Sequence, residues 1–194
     1  MANTYLQRTP SSAGNRKTFT FSAWVKRAVL ENGRITSCWS ANNDSSLFEL
    51  QFASDQIKIS SWTTNWRITN RVFRDTSAWY HLVMTVDTTQ STADDRIKIY
   101  VNGVQETSFG TNNNPSQNAD TGYNQAAITR IGTKANGLNN FFNGSMSHIH
   151  FIDGTAYDAS AFGETDATTG EWKIKTDVSV TYGTNGFFIL KDGN

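Results

Sequence analysis

The octapeptide FTFSAWVK, residues 19–26, alternates with the period of a β-strand. Phe19, Phe21, Ala23 and Val25 fall on one side, and Thr20, Ser22 and Lys26 fall on the other with Trp24 among them. Successive side chains of an extended chain point to opposite faces, so this stretch reads as a half-buried strand carrying an aromatic residue on its second face. The pattern recurs. LFELQF (47–52) sets Phe48, Leu50 and Phe52 against Glu49 and Gln51, while QIKIS (56–60) and RIKIYV (96–101) align Ile57 with Ile59 and Ile97 with Ile99 and Val101. WYHLVMTVD (79–87) gathers Tyr80, Leu82, Met84 and Val86 on one face and Trp79, His81, Val83 and Thr85 on the other. A strand apolar on both faces belongs in the middle of its sheet.

Residues 33–40, 66–73, 126–132 and 180–190 are further strand candidates. Asn102-Gly103 supplies the positive φ angles of a tight hairpin turn, and Asp153-Gly154 closes the heptapeptide HIHFIDG (148–154) in the same way. So many strands exceed what one twisted open sheet holds, which predicts two packed sheets. Loops concentrate at 88–95 and in the Asn-rich stretch 110–125, whose length is that of a functional or disordered connection. No repeat, linker or change of composition divides residues 1–194, so a single domain is expected.

Composition narrows the function classes. Aromatic residues make up 12% of the 194 and charged residues 18%, with Thr, Ser and Asn filling the remainder, a mixture suited to strands and uncharged polar surface. Seventeen basic and seventeen acidic side chains cancel and are scattered, which argues against a nucleic-acid patch or a polybasic membrane surface. Cys38 is the one cysteine, so neither an intrachain disulfide framework nor a cysteine-rich zinc site is available. The start, MANTYLQRTPSSAGN, lacks the apolar run of a signal peptide, and no stretch approaches the roughly 18 apolar residues of a membrane span. The expectation is a soluble product made in a cytoplasm, with the sequons at Asn43 and Asn143 read as chance matches.

The segments FTFSAWVKR, AWYHLVMTVD, RIKIYVNGVQ and ITRIGTKANGLNNFFNGSMSHIHFIDG, in that order and spacing, resemble the concanavalin A-like lectin/glucanase superfamily, in particular its laminin G-like and pentraxin-like jelly rolls. YLQRTPSSAGNRKTFTFSAWVKR, HIHFIDGTAYDASAFGETDATTGEW and YGTNGFFIL are similar to modules of tailed-phage structural proteins, where such a module often sits inside a longer virion chain. The resemblance implies an all-β, two-sheet antiparallel jelly-roll sandwich with ligand loops along one rim. It also implies a place on a virion surface after synthesis in the host cytoplasm, with other virion proteins and further copies of this chain as partners. This chain is then a stand-alone version or a fragment.

Candidate sites follow. His148 and His150 would share a strand face with Met146 and Ile152, a spacing zinc can use, but His81 is the one further histidine, and the pair reads as surface or groove lining. Retaining glycoside hydrolysis needs two carboxylates about 5–5.5 Å apart. The Glu-x-Asp-x-Glu run of the superfamily's glucanases is absent, with Glu31, Glu49, Glu106, Glu164 and Glu171 isolated, so no enzyme is expected. Related jelly rolls often hold calcium at a loop rim; Asp87, Asp94 and Asp95 flank one loop as candidate ligands, or as solvated carboxylates. Trp62, Asn65, Trp66 and Arg67 surround a hairpin and are the candidates for a glycan, the indoles stacking on a sugar's apolar face while Asn and Arg hydrogen-bond. Trp24 and Trp39 occupy mixed strand faces. Two roles stay open: a virion fibre, decoration or capsid-associated module that attaches to host surface glycans, and a purely architectural protein that oligomerises or clamps the capsid without binding sugar.

Overall fold

Alternation becomes layering in the computed structural model, which describes residues 4–191. Its strands are β1 (Leu6–Arg8), β2 (Thr18–Arg27), β3 (Gly33–Trp39), β4 (Leu47–Ala53), β5 (Gln56–Ser60), β6 (Asn65–Val72), β7 (Tyr80–Asp87) and β8 (Ile97–Val101). They continue with β9 (Val104–Gln105), β10 (Phe109–Asn112), β11 (Ile128–Ile131), β12 (Gly144–Asp153), β13 (Gly163–Thr165), β14 (Trp172–Ile174) and β15 (Phe187–Ile189). Among the described residues they form a seven-stranded sheet, β1-β11-β3-β4-β5-β6-β10, a six-stranded sheet, β15-β12-β2-β7-β8-β9, and a small β13-β14 hairpin. The two large sheets make an antiparallel sandwich, as expected for a jelly roll. No helix among the described residues is long and apolar enough to cross a membrane.

The alternating apolar sets meet between the two large sheets. Phe19, Phe21, Ala23 and Val25 of β2 are fully buried there, with Leu82, Met84 and Val86 of β7 and Ile97, Ile99 and Val101 of β8 beside them. Phe48, Leu50 and Phe52 of β4 and Ile57 and Ile59 of β5 face them from the other sheet. Each large side chain so buried contributes about 1.5–3 kcal/mol. Two-residue turns set the register of two hairpins, since positive φ at both central positions matches the twist of the flanking strands. Asn102 and Gly103 adopt φ 48° and 82° between β8 and β9, as expected, and Ser54 and Asp55 adopt φ 50° and 64° between β4 and β5 without the usual residue types.

β12 departs from simple alternation. Ser147 pairs with Trp24 but His150 pairs with Ser22, so three steps on β12 oppose two on β2. The extra residue lies in a bulge where His148 takes a left-handed φ of 46°. One inserted residue reverses the phase of everything after it. Met146 therefore packs against the core between the sheets while Ile152 packs on the opposite face, and the expectation that Met146, His148, His150 and Ile152 share a face is corrected. Asp153 is corrected too, from a turn residue to a buried hub. Its carboxylate accepts hydrogen bonds from Asn15 N (2.7 Å), Asn124 Nδ2 (2.7 Å) and Asn185 N (3.0 Å), joining segments far apart in sequence.

β2 is buried on both faces, not half-buried. The face of the six-stranded sheet that looks away from the main core is covered by residues 155–182, which lay Tyr157, Phe162, Trp172, Val178, Val180 and Tyr182 over Val83 and Ile152 as a second, smaller apolar cluster. The strand expected at 180–190 contracts to Phe187–Ile189, and residues 180–182 belong to this covering strap.

Candidate functional site

Three indoles converge where the strap crosses the outer face of the six-stranded sheet. Trp24 on β2, Trp79 just before β7 and Trp172 on β14 line an open pocket of about 310 Å³ with Ser147, Lys173 and Ile174. The arrangement is built from His81 upward. β2 and β7 pair Trp24 with His81, so these outer-face side chains are neighbours across the ladder. The imidazole stacks on Trp24 with centroids 4.9 Å apart and 17° between planes, and on Trp172 at 6.0 Å and 22°. Trp172 Nε1–H donates to His81 Nδ1 at 2.9 Å. An indole only donates, so the ring proton of His81 sits on Nε2, 2.9 Å from the Ser22 hydroxyl. Burial, reinforced by the nearby His150, pushes the His81 pKa down to about 3, keeping the ring neutral and the tautomer fixed.

Glycine permits the close seating of Trp172. A β-carbon at Gly103 or Gly163 would come within 2.6 Å or 2.5 Å of the indole. Gly103 thus serves twice, in the hairpin turn at φ 82° and as the bed of the Trp172 ring. Trp79 is 39% exposed at the mouth, whereas Trp24 is buried, and its Nε1–H has no hydrogen-bond partner among the described residues. An unpaired buried donor costs about 1–3 kcal/mol, which the fold carries beside the pocket. The sequence held one signal of this site, since Trp24, Trp79 and His81 all fall on second faces of strands. Trp172 lies in a stretch with no alternation and gave none.

The expected glycan residues are split. Trp62 is exposed on the β5–β6 loop, and Asn65 is exposed with its carbonyl accepting from Asn113 Nδ2. Trp66 is partly buried and lines a second cleft, of about 200 Å³, at the loop rim with Asp44, Pro115 and Asp120 among its walls. Arg67 corrects the expectation: it is 1% exposed and is not presented to a ligand. Its Nη1 donates to the carbonyl oxygens of Trp66 and Asn113, and its Nη2 to Ile97 O (3.2 Å) and Asn114 Oδ1 (2.5 Å). Arg67 anchors the Asn-rich loop, whose first residues belong to β10.

The candidate calcium ligands are also occupied separately. Asp87 accepts from Thr89 and Gln90, Asp94 from Asn112 and Asn114, and Asp95 pairs with Lys98 at 3.0 Å. Among the described residues, no group of three or more His, Cys, Asp and Glu side chains is placed to hold a metal ion. His150 is buried against Phe188, with ring centroids 4.0 Å apart, and its Nδ1 lies 2.9 Å from the Tyr182 hydroxyl. Desolvation, with His148 nearby, pushes its pKa down to about 4.

The fold is shared with known proteins. A heptameric SAP-like pentraxin from Limulus polyphemus superposes with a TM-score of 0.55 at 16% identity, over 97% of this chain and 89% of the pentraxin. Domain 4 of a GH43 extracellular arabinanase from Geobacillus stearothermophilus, in complex with arabinotriose, gives 0.52 at 20% identity, over 76% of this chain and 65% of that one. The CBM40 of the Ruminococcus gnavus IT-sialidase gives 0.52 at 11% identity, over 80% and 95%. At these identities the likeness is one of fold. A comparison with curated protein sequences finds no match. The sequence profile of the concanavalin A-like lectin/glucanases superfamily matches residues 1–161, most of both sheets and all of the ladder that seats Trp24 and His81. The chain belongs to the concanavalin A-like lectin/glucanases superfamily.

Proposed function

We propose that this chain is a non-enzymatic carbohydrate-binding module and that the pocket of Trp24, Trp79 and Trp172 receives the sugar. The pocket carries the reading: about 310 Å³ sits at the small end of the roughly 300–1,000 Å³ typical of small-molecule sites, and its walls are aromatic with few polar groups. A pyranose ring sets its C–H face on an indole and turns its hydroxyls outward, so a wall already held flat by His81, Gly103 and Gly163 is preorganised for it. Superfamily membership and the fold shared with an arabinotriose-bound domain support the same reading.

A glycan array followed by titration calorimetry tests it. Trp79→Ala should weaken the best glycan about ten-fold or more, because one stacking wall is lost. Trp66→Ala, in the rim cleft, should leave affinity unchanged; the reverse result moves the site to the rim, with Trp62 and Asn65. Binding to no glycan ends the reading.

The virion setting rests on the phage-like segments at both ends of the chain, and mass spectrometry of purified particles checks it. An architectural role through self-association is the second reading. It is favoured by an apolar cleft of about 310 Å³ between the edge strands β1 and β15, lined by Leu6, Ile131, Phe187 and Ile189, with Leu6 42% exposed. Light scattering of the purified chain reports it: a monomer at every concentration excludes this role.

A further inference from the structure

We infer that the tryptophan pocket selects uncharged glycans over carboxylated ones, an inference that rests on the sugar-binding reading above. Carboxylated sugars such as sialic and uronic acids are ordinarily gripped by a free guanidinium or ammonium. Lys173 is the cation lining this pocket, and its charge is already committed. Its Nζ lies 3.0 Å from Asp166 Oδ2 and 3.5 Å from Glu164 Oε1, on the hairpin that also carries Trp172. Two carboxylates against one ammonium leave this cluster, on the hairpin that forms one wall of the pocket, with a net negative charge.

The Asp166 end of this arrangement is firm. Asp166 Oδ1 accepts from the backbone N–H groups of Thr168 and Thr169, each at 2.9 Å, which fixes the carboxylate while its other oxygen meets Lys173. Those bonds and the ammonium hold the Asp166 carboxyl well below the usual carboxylate range, and Asp166 in turn raises the Lys173 pKa. Both groups stay charged and paired at neutral pH. Lys26, two residues along β2 from Trp24 on the same face, is not among the residues that line the pocket. Within the pocket an arriving carboxylate therefore meets one lining cation, already paired, with the like charges of Glu164 and Asp166 beside it. A neutral sugar needs only the indoles and a few hydroxyl contacts.

Calorimetry on the full chain decides the matter, with neutral oligosaccharides compared with size-matched sialylated and uronic-acid analogues. The expected result is binding of a neutral glycan, with its carboxylated analogue about two- to five-fold weaker, the scale of one exposed charge contact. The double variant Glu164→Gln, Asp166→Asn, checked for folding by circular dichroism, should release Lys173 and abolish that gap or reverse it. Equal or tighter binding of the carboxylated analogue by the unmodified chain overturns the inference while leaving sugar binding intact. If glycans of neither class bind, the inference falls with the reading beneath it.

Discussion

The two faces of the six-stranded sheet are both buried, but by different chemistry. The inner face packs Phe19, Phe21, Ala23 and Val25 against aliphatic and aromatic side chains of the other sheet. The outer face buries Thr20, Ser22, His81 and His150, each with a hydrogen-bond partner: Thr155 O for Thr20, the Ser22–His81 pair, Trp172 for His81 and Tyr182 for His150. A polar residue in an alternating strand therefore need not face water. Here it specifies where a later segment docks, because a buried polar group that finds no partner is costly and one docking arrangement satisfies these.

Acid should separate the two faces most strongly. His81 and His150 have folded pKa values of about 3 and about 4, below the ordinary 6.5 expected when unfolded. Between pH 6.5 and those values the unfolded chain binds protons that the folded chain does not, so the stability present above pH 6.5 is lost as pH falls. The slope is about 1.4 kcal/mol per pH unit for each histidine, several kcal/mol over two units. Urea midpoints at pH 7 and pH 4.5 measure it, and an imidazole NMR signal of His81 titrating near 6.5 would show that the outer face is not closed. Next in size, Phe21→Ala in the inner face should cost about 3–5 kcal/mol in equilibrium denaturation, through lost burial and the cavity left behind.

Tyr182→Phe deletes one outer-face contact, the hydroxyl bonded to His150 Nδ1, and should cost about 1 kcal/mol. A loss as large as that of Phe21→Ala would mean that the strap and the main core unfold as one unit. Trp79→Ala should be the mildest for stability, within about 0.5 kcal/mol because the side chain is 39% exposed, while having the large effect on glycan affinity described above. Thermal melts beside calorimetry distinguish the two effects.

Much of the sandwich is legible in the sequence alone. β2, β4, β5, β7 and β8 announce themselves through strict alternation, and Asn102-Gly103 announces its hairpin. The bulge at His148 could not be read in this way, since one inserted residue changes the phase without changing composition. Arg67 was misread because an arginine beside two tryptophans resembles a binding cluster, and its burial follows from pairing with Ile59 on the inner side of β5. The pocket was half visible: Trp24, Trp79 and His81 stood on outer faces, but nothing near Trp172 pointed to a partner 91 residues earlier in the chain.

By itself the amino-acid sequence determined the extended conformation of the long strands, their inward faces and hence the two-layer architecture, because side-chain direction in a strand is set locally by backbone geometry. Tertiary structure alone decided what covers the outer face, which indoles meet there and which charges are spent on one another. Those outcomes depend on contacts between distant segments, where burial and hydrogen-bond satisfaction choose among arrangements that local pattern leaves equal.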